Sequence, residues 1–429
     1  MTKAVTIILV LAVIYNSGDV LAQIDVRTDP EATVIKESEA EQAREREKEA
    51  SEDPLEQRQT TKVDTPVEHA SKPNEFGAYT SLRVRYRSSG SEGALDDGGS
   101  RIGANADWQF RPDYWLSGRV EAGFNLLSSL DSVFNPGASS SEGEGDVFLR
   151  LLYANLETPH LFLVLGKAWS TYYSVAGFTD RFAGTGASAS GTFNAGTDGG
   201  PSGTGRADEV LQTRIFIKPA KIHIKKMKPF TLNAQLQHGQ EIPFSLLDDG
   251  NGDVSGFNYG YALGLSALLE TRENFNLGIA YNHAQVSKKD LPELNSVGID
   301  GDDKSLLLGA KWFSEKWYLA TNFSWMWNHM TTGDGVYFDG KGWETYGQYN
   351  VHKRWWVTGG WNYLKPNDNQ LQAGNYQVKY GVLGLRYSIK QFNRMFYANI
   401  RFDSTTDSDA DKAGLSNIYT VGVRWNIPR

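Results

Sequence analysis

The sequence predicts an all-β protein, a 16-stranded antiparallel transmembrane β-barrel, on three observations. From Glu75 onward, stretches of alternating apolar and polar residues recur sixteen times; tight turns and long Gly/Asp/Ser-rich loops separate them in turn; aromatic rings gather near the strand ends. The last stretch shows the alternation most plainly. Tyr419, Val421, Val423, Trp425 and Ile427 share one face, and Thr420, Gly422, Arg424 and Asn426 share the other. A period of two assigns residues to opposite faces of a sheet, and a membrane barrel turns the apolar face to lipid and the polar face to its lumen. A soluble double sheet would not keep that one-sidedness over sixteen strands.

The elements follow in chain order. Ala4 to Tyr15 is the only long apolar run, and Lys3 precedes it. With Val20-Leu21-Ala22 beyond, it reads as a signal peptide over residues 1–22, too short to span a hydrocarbon core about 30 Å thick. Residues 23–75 form a charged helix and linker. Asp29-Pro30-Glu31 supplies an N-cap, a proline at the first helical position and a first-turn acid, so a helix starts there. It ends before Asp53-Pro54. With so few apolar residues this helix is either solvated or a coiled coil between subunits.

Residues 76–429 form the barrel. Arg101, Gly103, Asn105, Asp107 and Gln109 alternate with Ile102, Ala104, Ala106, Trp108 and Phe110, and the pattern resumes after Arg111-Pro112-Asp113. Two amphipathic strands joined so closely make a hairpin. Similar tight turns are expected near Glu157–Pro159, Lys225–Lys228, Thr271–Asn274, Glu315–Lys316, His352–Arg354 and Lys390–Gln391, on the periplasmic side. The eight long connections include Ser170–Ala207, the longest. Trp108, Trp115, Trp312, Trp317 and Trp355 are placed as interfacial girdles. Arg83, Arg85 and Arg87 share an inward face opposite Leu82, Val84 and Tyr86, and inward cations without nearby acids favour anions.

Composition removes other classes. The chain has no cysteine, which excludes disulfides, thiol catalysis and cysteine metal sites. The net charge of −8 belongs to the leader: residues 23–75 hold 8 Lys/Arg against 15 Asp/Glu, and the barrel holds 34 against 35. No basic surplus supports nucleic-acid binding. The seven histidines are scattered, and no Ser/His/acid motif marks an enzyme. Asp249–Asp253 and Asp407–Asp411 imitate the start of a calcium loop but lack the closing glutamate. No cofactor is expected.

The barrel resembles the general bacterial porins, trimeric diffusion channels of Gram-negative outer membranes. The likeness covers residues 76–429 and is strongest over Leu165-Gly166-Lys167-Ala168-Trp169-Ser170-Thr171-Tyr172-Tyr173-Ser174-Val175 and Phe178-Thr179-Asp180, with support from Ser100-Arg101-Ile102-Gly103 and Thr231-Leu232-Asn233-Ala234-Gln235-Leu236. The resemblance implies a third loop folded inward to narrow the pore, with Arg101, Lys167 and Arg214 on a basic wall and Asp180 as a loop carboxylate. It implies a homotrimer in the outer membrane, in contact with lipid and lipopolysaccharide, passing small hydrophilic solutes and ions. The leader is then periplasmic. The channel is either a general one or selective for anions such as phosphate or carboxylates, and a mainly structural envelope role is the third reading. Two positions depart from the family. Gly184 stands where a second loop acid is usual, leaving Asp198, Asp208 and Glu209 as substitutes, and the chain ends Trp425-Asn426-Ile427-Pro428-Arg429 without a terminal phenylalanine.

Overall fold

A computed structural model describes residues 75–89, 92–127, 147–159, 161–217, 230–239, 241–242, 257–271, 274–287, 292–332, 335–389, 394–406, 408 and 417–428. The signal peptide, the leader helix and linker up to residue 74, the Lys225–Lys228 and Lys390–Gln391 turns, Asp249–Asp253 and all of Asp407–Asp411 except Ser408 lie outside them.

Sixteen strands form one closed sheet. They are β1 Glu75–Ser89, β2 Glu92–Asp97 continued as Ser100–Arg111, β3 Tyr114–Phe124, β4 Val147–Glu157, β5 Phe162–Trp169, β6 Arg206–Ile217, β7 Phe230–His238 continued as Glu241–Ile242, and β8 Phe257–Glu270. The second half runs β9 Phe275–Val286, β10 Asp303–Phe313, β11 Trp317–Thr331, β12 Tyr337–His352, β13 Trp355–Pro366, β14 Val378–Ile389, β15 Arg394–Asp403 and β16 Ile418–Pro428. Both pieces of β2 pair with β1, and both pieces of β7 pair with β8, so each counts as one strand. At the break in β2, Asp97 Oδ2 accepts from the Gly99 and Ser100 amides at 2.6 and 2.7 Å.

Each strand is antiparallel to its neighbours, and β1 pairs with β16 from Tyr79↔Pro428 to Ser89↔Ile418. The closure leaves no open edge, which a barrel in lipid requires. The short turns use residues that tolerate positive φ: Asp113 at 62° between β2 and β3, and Asn274 at 59° between β8 and β9. Residues with short polar side chains of this kind adopt the left-handed conformation more readily than most.

The faces are inverted relative to a soluble protein. On β16, Tyr419, Val421, Trp425 and Ile427 are exposed outward while Thr420 and Asn426 are buried. Leu165, Ile215, Leu265 and Leu383 repeat the pattern around the sheet, an apolar outer surface of the kind a membrane barrel turns to lipid. Trp115 departs from the girdle expectation, because it shares the parity of Ser117 and Arg119 and is buried.

The polar inner face is covered by residues 170–205, which leave β5 and fold into the barrel. A single turn of helix, α1 Tyr173–Ala176, opens this inward loop. Tyr172, Val175, Ala176 and Phe178 pack on Leu268, Ala280, Leu307 and Tyr318 of the wall. Wall glycines make the seat: a Cβ at Gly309 would collide with Val175, and one at Gly342 with the Ala189 carbonyl.

Candidate pore constriction

The inward loop is tied to the wall along its whole course. Asn322 donates to the Ala176 carbonyl at 3.0 Å and Tyr318 to the Phe178 carbonyl at 2.7 Å. Glu344 on β12 is fully buried and accepts from Thr179 Oγ1, the Ala189 amide and the Ser190 amide at 2.7, 2.6 and 3.1 Å. Three donors satisfy a carboxylate that would otherwise be costly to bury. Farther along the wall, Asn399 on β15 donates to the Ala183 carbonyl at 2.5 Å and Arg85 Nη1 to the Gly184 carbonyl at 3.2 Å. The course of residues 183–205, which the Gly/Ser/Ala/Thr-rich sequence leaves undetermined, is therefore set by wall residues distant in the chain.

Between the loop at Arg181–Gly184 and the wall lies a cavity whose charged lining, among the described residues, consists of Arg83, Arg181, Arg386 and Arg424, with no carboxylate. Arg83 on β1 and Arg424 on β16 are direct cross-strand partners at the barrel closure. Arg83 Nε donates to Ser81 Oγ at 3.0 Å and Arg424 Nε to Asn426 Oδ1 at 3.1 Å. The Nη2 atom of each is buried without a hydrogen-bond partner, and neither arginine pairs with a carboxylate among the described residues. Like charges placed directly opposite on a sheet repel. Arg386 on β14 donates to Gln348 at 3.3 Å and lies over Trp356, while Arg181 lies over the Tyr318 ring at 4.1 Å.

Of the cations expected from sequence, Arg83 alone lines this cavity. Arg85 touches the loop but is paired with Asp96 at 2.5 Å, an acid it shares with Arg87. Arg101 joins Arg119 and Arg150 around Glu121, at 3.7, 3.1 and 2.8 Å, and the Tyr79 hydroxyl donates to the same carboxylate at 2.5 Å. Lys167 lies between Asp208 at 2.5 Å and Asp198 at 3.2 Å. Burial alone would raise the Asp198 carboxyl; Lys167 and Arg206 hold it below the usual carboxylate range. Arg214 is held near the β5–β6 pairing, donating to Asn233 at 2.8 Å and lying over Phe162. Asp180 is on the inward loop, where Tyr173 donates to it at 2.9 Å. Burial raises its carboxyl above the ordinary range.

Sequence reasoning did not assign Arg150, Arg181, Arg386, Arg424, Glu121 or Glu344 to the site. Arg424 was visible on the polar face of the last strand. Arg150 was not, because it turns inward at a register shift where Glu121↔Leu151 is followed by Ala122↔Leu149, and a bulge of this kind re-aims a side chain.

No protein-family model matches the chain, and no curated protein sequence does. Solved structures do match. OmpF of Salmonella typhi, in complex with daunomycin, has a TM-score of 0.61 at 16% identity, over 82% of this chain and 97% of that one. The outer membrane channel DcaP of Acinetobacter baumannii gives 0.59 at 11%, over 83% and 99%. An anion-selective porin from Comamonas acidovorans gives 0.55 at 13%, over 83% and 99%. The class is thus an all-β, sixteen-stranded antiparallel barrel with an inward loop. Its fold is that of the general bacterial outer-membrane porins.

Proposed function

We propose that the chain is an outer-membrane channel for passive diffusion of small hydrophilic solutes and ions, with a preference for anions. One observation carries the preference: the four charged side chains lining the space between loop and wall are all arginines. A low-dielectric constriction focuses such a field, raising the local concentration of counter-ions. We assign Arg83, Arg181, Arg386 and Arg424 to the constriction. Arg101, Arg119 and Arg150, which share Glu121, and Lys167, which lies between Asp198 and Asp208, are instead paired with carboxylates. The anion-selective Comamonas porin shows only that a barrel of this fold can carry such a preference; the assignment here rests on the arginine lining. The protein is read as a homotrimer with its N-terminal extension in the periplasm, and no chemical step is assigned to it.

Planar-bilayer recording of the purified protein tests this reading. Conductance steps in units of three support a trimeric channel; an electrically silent barrel removes the channel assignment.

A further inference from the structure

His329 on β11 is fully buried, and both of its ring nitrogens face oxygen. Nδ1 is 2.6 Å from Asp303 Oδ1 on β10, and Nε2 is 2.6 Å from the carbonyl of Gly191 on the inward loop. The carbonyl is only an acceptor, so Nε2 carries a proton. Asp303 Oδ2 accepts from Tyr259 at 2.6 Å, and because a carboxyl is a stronger acid than an imidazolium the proton between Oδ1 and the ring lies on Nδ1. A neutral imidazole donates from one nitrogen only. Both contacts are satisfied together by the imidazolium, as a charge-assisted pair. The titratable group facing it is Asp303 from β10, and Tyr259 from β8 and Tyr337 from β12 interact with Asp303 in turn. Asn194 of the loop also donates to the His329 carbonyl, at 3.3 Å.

We propose that His329 is a positioning residue that seats the return limb of the inward loop through a doubly donating imidazolium. Loss of that single proton at alkaline pH leaves Nδ1–H on the Asp303 carboxylate and turns a bare Nε2 lone pair toward the Gly191 carbonyl, which releases the limb there. The seat rests on the loop's position alone; its effect on conductance rests also on the channel reading.

Nitrogen-15 NMR of the histidine-labelled full chain in detergent, assigned by difference from His329→Gln, tests the seat directly. Both ring nitrogens protonated near neutral pH is the expected result; a neutral tautomer overturns the proposal. Single-channel recording tests the consequence. Between about pH 7 and about pH 10 the wild type is expected to show roughly tenfold more frequent closures, the scale set by one lost charge-assisted hydrogen bond, while His329→Gln closes often at both pH values. An equal pH response in the two proteins contradicts the proposal. Should His329→Gln not assemble, Tyr259→Phe serves instead: without its donor, Asp303 holds the proton more tightly and the transition moves to higher pH, whereas an unmoved transition counts against the seat. A barrel that does not conduct would fail the channel reading and leave the NMR result to decide the seat.

Discussion

Two arginine clusters occupy neighbouring parts of the same wall, and they differ in one thing. Arg101, Arg119 and Arg150, on β2 to β4, converge on the buried carboxylate of Glu121. Arg83 and Arg424, across the β1–β16 closure, face each other with no carboxylate between them. The first cluster resembles a structural ion network and the second an open electrostatic demand. Residue type and inward orientation alone therefore do not separate the two clusters; the position of the nearest acid does.

The largest expected effect comes from removing that acid. Glu121→Gln leaves the buried Arg101 and the partly buried Arg119 and Arg150 without their counter-charge and should cost about 3–5 kcal/mol, the penalty for breaking a buried pair. A thermal melt followed by circular dichroism checks it, and an unchanged midpoint would erase the distinction between the clusters. Glu344→Ala removes the acceptor for three loop donors, at about 1–3 kcal/mol. Faster hydrogen exchange at the Ala189 and Ser190 amides is the expected signature, since those two donate to it.

The smallest effects carry opposite signs in the two clusters, which makes them the sharpest comparison. Arg83→Gln relieves a cross-strand pair of like charges and should stabilise the barrel by about 0.2–1 kcal/mol. Arg101→Gln withdraws a partner from Glu121 and should destabilise it. If both variants shift the melt in the same direction, the paired and unpaired arginines are not energetically distinct.

The sequence carried the strand code because its period is two and its repeats are many. Tyr419 to Ile427 alone separate lipid from lumen. The inward loop was recognisable from its motif, but not its seat, since Glu344, His329 and Asn399 lie far along the chain and meet the loop only after the barrel closes. The same closure hides the arginine pair. The β1–β16 seam joins residues as distant as Ser81 and Asn426, 345 positions apart, so Arg83 and Arg424 each read as an ordinary lumen cation until they face each other. Arg150 was concealed for a local reason, a bulge that breaks the alternation after Leu149.

The claim that unmatched arginines set the ion preference is tested most directly by the reversal potential of the reconstituted channel in a potassium chloride gradient. The wild type should reverse on the chloride side, and Arg83→Gln with Arg424→Gln together should move the potential toward zero. A potassium-side reversal in the wild type, or a double variant with the wild-type potential, would contradict it.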